Sequence, residues 1–178
     1  LGVSEHKNAL KAYLEEVEKG DIPALRPPWT QSGWFDAATE WIEAQVENLG
    51  FKLTEPVECV KSWGISCVLK AHSTGGDFYL KESSTLPLFA DEPALTACLA
   101  TLFPNHIPKP VAIDRERHWM LLEDFGQLEV EDQEAMYRCF GELQVKAVKQ
   151  VDTLLGMGCL DRRLIHLIGQ VDTLVEDP

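Results

Sequence analysis

Two residues in this sequence are best placed to do chemistry, Lys81 and Glu92. Lys81 closes a short alternating run, Phe78-Tyr79-Leu80-Lys81, opened by the turn Thr74-Gly75-Gly76-Asp77. Successive strand side chains face opposite ways, so Phe78 and Leu80 share one face while Tyr79 and Lys81 share the other. A helix signal follows, with Asp91 as N-cap and Pro93 in the first turn. Leu95, Leu99, Leu102 and Phe103 recur at helical spacing behind it. Glu92 falls on that same core-facing stripe. An acid there needs a partner, because an unpaired buried charge is costly. Lys81, one strand away, is the natural one. A lysine on a strand's solvent face is ordinary by itself. This one stands between a hairpin turn and a core-facing acid.

Upstream, the turn Ser62-Trp63-Gly64-Ile65-Ser66 separates two predicted strands, Val57-Lys61 and Cys67-His72. Successive amides in such a turn form an anion nest, and the Ser62 and Ser66 hydroxyls could join it around phosphate oxygens. A plain hairpin turn describes the same residues. The strand lysine with its helix acid resembles kinase-like folds, which hold the α- and β-phosphates of ATP in this way. More narrowly, the chain resembles the aminoglycoside phosphotransferase-like family of small-molecule kinases. The resemblance runs through PPWTQSGWFDAATEWI, VKSWGISCVLK, LFPNHIPKPVAID, WMLLEDFG, ELQ and LLGMGCLDRRL, and so spans nearly the whole chain.

That resemblance implies several roles. Lys81 would contact the ATP phosphates, Glu92 would orient Lys81, and the turn from Ser62 to Ser66 would cover the phosphates. The turn departs from the protein-kinase G-x-G-x-x-G, having a single glycine. Leu122-Glu123-Asp124-Phe125 would be the hinge, with the Glu123 carbonyl and the Phe125 N–H on adenine. Transfer to a small-molecule hydroxyl acceptor also needs a catalytic Asp, and an Asn and an Asp for magnesium. The resemblance places these beyond Pro178, so the 178 residues alone are expected not to transfer phosphate. Asp124-Phe125-Gly126 spells a metal-binding D-F-G but stands at the hinge, with no catalytic loop before it, and is rejected as a metal site. Asp161-Arg162-Arg163-Leu164 reads as a capped helix start.

The elements that must position these residues give an α+β reading: a kinase-like N-lobe of five antiparallel strands with one packed helix. Val111-Asp114 and Trp119-Leu122 complete the sheet, joined by the turn Arg115-His118. Residues 1–50 are read as a helical extension: a first helix capped by Ser4 and closed by Gly20, then a second capped by Asp36, with Ala38, Trp41, Ile42, Gln45, Val46 and Leu49 down one side, and closed by Gly50. Trp29 and Trp34, in and after the proline-punctuated connector, are read as anchors in preference to a ligand platform. The N-lobe takes residues 51–126. Residues 127–178 begin a C-lobe, with one helix from Glu131 to Leu155 and another carrying Leu164, Leu167, Ile168, Val171 and Leu174.

Bulk properties narrow the function classes. A net charge of −13 speaks against nucleic acid and anionic membranes as partners. It would suit a cationic substrate, though such acidity is also common in soluble cytosolic proteins. No apolar run approaches membrane-spanning length. Five cysteines without C-x-x-C spacing are expected as buried reduced thiols in a cytoplasmic protein. A second function class is a non-catalytic binding or dimerisation module, using the apolar stripes of the last helices to form a homo-oligomer.

Overall fold

The computed structural model describes residues 3–20, 26–84, 91–104, 106–126 and 133–168. Helix α1 spans Val3–Lys19, a 3-10 turn spans Pro28–Thr30, and α2 spans Trp34–Asn48. Strands β1 (Glu58–Ser62), β2 (Ser66–Ser73) and β3 (Gly76–Ser83) follow, then α3 (Glu92–Leu102), β4 (Ala112–Asp114) and β5 (Trp119–Glu123). Beyond them lie α4 (Gln133–Ala147), a 3-10 turn Val148–Gln150, α5 (Val151–Gly156) and a helical turn at 164–168. The expected α+β class with a five-stranded antiparallel sheet is therefore found, in the order β1-β2-β3-β5-β4.

Strand alternation decides what each face holds. Leu69 and Ala71 of β2, Phe78 and Leu80 of β3 and Leu121 of β5 point to one face, where Ala38, Ile42 and Val46 of α2 complete a closed core. Those three helix residues recur every four positions, the stripe a helix needs to lie on a sheet. Each is fully buried, and burying Ile42 or Val46 stabilises the fold by roughly 1.5–3 kcal/mol apiece. Lys81 points to the opposite face, where α3 packs. Two helices thus flank the sheet, one per face, where the sequence reading placed one. The α2 stripe was legible, but its docking surface was not.

Several boundaries shift for local reasons. Gly33 takes the N-cap position of α2, with a φ of 80° that only glycine takes readily, so Asp36 sits in the first turn instead of at the cap. Ser4 likewise lies inside α1. The single helix expected from Glu131 to Leu155 is broken, because the Gln150 backbone (φ −115°, ψ 12°) leaves the helical region and winding restarts at Val151. Glu131, Val171 and Leu174 lie outside the described residues. Of the five cysteines expected to be buried, Cys67 alone is; Cys59 and Cys139 are exposed, and Cys98 and Cys159 intermediate. Cys59 falls within an apolar stretch of sequence, but β1 is an edge strand whose five residues are all exposed.

The turn between β2 and β3 carries one strict size requirement. A Cβ on Gly75 would lie 2.5 Å from the Phe51 ring, and that ring leans on core Phe78 at 6.3 Å. Gly75→Ala must therefore displace an aromatic wedged against the core. We expect a loss of about 1–3 kcal/mol, read as a lower urea midpoint at unchanged slope. An unchanged midpoint would show that Phe51 gives way freely.

Candidate functional site

Lys81 and Glu92 meet as expected, but at a cavity and not in a core: Leu95, Leu99 and Leu102 of the expected core-facing stripe are half-buried, and α3 buries Pro93, Ala94 and Ala100 instead. The Lys81 Nζ lies 2.5 Å from Glu92 Oε1, with each side chain about a third exposed. Glu92 opens α3, because the Asp91 carboxylate accepts the Ala94 N–H and fixes the helix start. Arg115, from the β4–β5 turn, donates two hydrogen bonds to the other Asp91 oxygen, so the cap is itself held. The Ser83 hydroxyl donates to Glu92 Oε2. Lys81 and Ser83 share a strand face, and between them they engage both carboxylate oxygens.

This pair borders a cavity of about 400 Å³ between α3 and the β1–β2 turn, lined also by Trp63, Ile65, Ser66 and Leu95. The turn is closed by the Trp63 N–H donating to the Ser66 carbonyl at 3.1 Å. The Trp63 indole N–H donates to the Ser66 hydroxyl at 2.5 Å. That hydroxyl keeps its own hydrogen for another acceptor. Lys61 lies 4.2 Å from the Trp63 ring centre, a cation–π contact. From outside the sheet, the Trp29 indole N–H donates to the Trp63 carbonyl at 3.1 Å. Trp29 is an anchor, and what it anchors is this turn.

The remaining expected site residues stand elsewhere. Ser62 ends β1, exposed, opposite Cys67. Glu123 pairs with Phe78, three residues along β3 from Lys81, hence about 10 Å away along the strand. Phe125 follows it, 62% exposed. The structure gathers Lys81, Glu92 and Ser66 at one cavity; Ser62, Glu123 and Phe125 lie apart from it. Asp124, the acid of the D-F-G triplet, accepts the Gly126 N–H at 2.9 Å, a local turn. Asp161 accepts the Arg163 N–H and pairs with its guanidinium, which holds its carboxyl down at about 2.

Two participants went unread in the sequence. Ser83 follows Lys81 by one strand period, so the same alternation could have found it. Glu82 is the other. Its side chain points to the α2 face, where it is 1% exposed, and Oε2 accepts both the Trp34 and the Trp119 indole N–H at 2.5 Å. Burial pushes its carboxyl from the usual 4.5 up to about 7, against the two hydrogen bonds that favour ionisation. The two indoles meet edge to face at 6.2 Å. Trp34 is thus also an anchor, tying α2 to the strand that carries Lys81.

No protein-family model and no curated protein matches this chain. No helix among the described residues is long and apolar enough to cross a membrane. Among the described residues no group of three or more His, Cys, Asp or Glu side chains is placed to hold a metal ion.

Proposed function

We propose that the chain is the ATP-binding, N-terminal portion of an aminoglycoside phosphotransferase-like small-molecule kinase. The observation that carries this reading is the Lys81–Glu92 ion pair, made from a central strand to the helix following it, at the edge of a cavity roofed by a hairpin turn. Lys81 supplies a fixed cation for the α- and β-phosphates, and Glu92, braced by Ser83, sets its direction. The Glu123 carbonyl and Phe125 N–H, both on exposed residues, serve as the adenine contacts. Strand order also supports the reading: α3 lies between β3 and β4 in sequence, while β5 pairs with β3.

On this reading the 178-residue chain binds ATP and does not turn it over. Calorimetric titration with ATP should give a saturable isotherm, and prolonged incubation with magnesium and hydroxyl acceptors should release no ADP. Absence of any ATP binding would overturn the reading. A second reading, a kinase-derived dimerisation module, is favoured by exposed apolar side chains on α4, among them Met136, Phe140 and Val145. Sedimentation on the same samples separates the two. A monomer that binds ATP supports the first, and a dimer indifferent to ATP the second.

A further inference from the structure

We propose that Cys59 and Cys67 form an oxidation site, at which a peroxide joins the two strands of the β1–β2 hairpin through a disulfide. Their sulfurs lie 3.9 Å apart. Cys59 stands opposite Leu69 and Ser62 opposite Cys67, and a bulge between Cys59 and Lys61 shortens the register between them. Both side chains consequently emerge on one face of the sheet. Bond formation requires the sulfurs to close to about 2.05 Å. The movement falls on β1, an edge strand with every residue exposed and so free to adjust. No other pair of cysteines among the described residues has sulfurs in contact.

The two thiols differ in a way that orders the chemistry. Cys59 is exposed and within reach of a dissolved oxidant, whereas Cys67 is 2% exposed. Burial and the neighbouring Cys59 push the Cys67 thiol up to about 12, which keeps it protonated and slow to react first. Peroxide therefore oxidises the Cys59 sulfur to a sulfenic acid, and its O–O bond breaks with release of water. The Cys67 sulfur then attacks the Cys59 sulfur. The S–O bond breaks, and the departing hydroxide leaves as water with the Cys67 proton. Overall, two thiols give up two electrons and two protons to one peroxide, forming one disulfide and two waters. The new bond clamps the strand entering the Ser62–Ser66 turn to the strand leaving it. The pairing stands independently of whether the neighbouring cavity binds a nucleotide.

The test treats the 178-residue chain with hydrogen peroxide, alkylates it under denaturing conditions and maps its peptides by mass spectrometry. The expected result is a cross-link between the Cys59 and Cys67 peptides, lighter by the two thiol hydrogens and lost on treatment with dithiothreitol. In Cys67→Ser the sulfenic acid on Cys59 should persist and be trapped by dimedone. In Cys59→Ser, Cys67 should remain open to alkylation after peroxide. The proposal is overturned if the unsubstituted chain keeps both residues alkylatable, or if its cross-links run through Cys98, Cys139 or Cys159 instead. Because the decisive reading is made on the unsubstituted chain, misfolding of either variant cannot rescue it.

Discussion

Lys81→Ala should raise the dissociation constant for ATP about 10- to 100-fold, the loss of one charge-assisted hydrogen bond to phosphate. The fold should scarcely notice. The Lys81–Glu92 pair is a third exposed on each side, and such pairs contribute about 0–1 kcal/mol to stability. A melting shift of no more than about 4 °C follows for a chain of this length. Glu92→Gln is the companion. It keeps a hydrogen-bond acceptor for Lys81 but no charge, so it should weaken ATP binding less than Lys81→Ala does. If Lys81→Ala binds ATP as tightly as the unsubstituted chain, Lys81 is a structural lysine and the nucleotide reading of the cavity fails. If binding falls together with the melting temperature by much more than that, the pair was holding α3 in place and the affinity change says nothing about phosphate.

Legibility followed how local each rule is. The alternation Phe78-Tyr79-Leu80-Lys81 and the helical stripe led by Asp91 and Glu92 need only near neighbours. From them the opposed faces, the N-cap and the Lys81–Glu92 encounter all followed. The docking of α2 needed contacts between residues far apart in sequence. Its apolar stripe promised only that something would cover it, and what covers it is the face of Leu69, Leu80 and Leu121. Gly33 displaced Asp36 as cap because a left-handed backbone is invisible until the entering chain direction is known. Glu82 was hidden for the same reason. An acid at the end of an apolar alternating row reads as the strand's exit to solvent, unless Trp34 and Trp119 are known to converge on it from α2 and β5.

That convergence yields the largest stability effect expected in this molecule, and its sign depends on pH. Below about 4.5 the Glu82 carboxyl is protonated in both the folded and the unfolded chain and contributes no difference. Between 4.5 and about 7 the unfolded chain ionises freely while the folded chain holds its proton, so stability falls as pH rises. Above about 7 both are ionised, and the full penalty, on the order of 3 kcal/mol, remains. Glu82→Gln offers the two indoles a carbonyl oxygen in place of the carboxylate and carries no titrating proton. Measured against the unsubstituted chain, the variant should therefore gain ground as pH is raised from 5 to 8, by roughly 5–10 °C in melting temperature. Other titrating groups are common to both proteins and cancel in the comparison, apart from Cys67, which faces Glu82 across the ladder and stays protonated throughout. A difference that stays constant over this range would mean that Glu82 ionises as an ordinary acid, with water reaching its carboxylate. A difference that grows would establish that β3 carries a carboxyl tuned to neutral pH on one face and the cation of the cavity on the other, one residue apart.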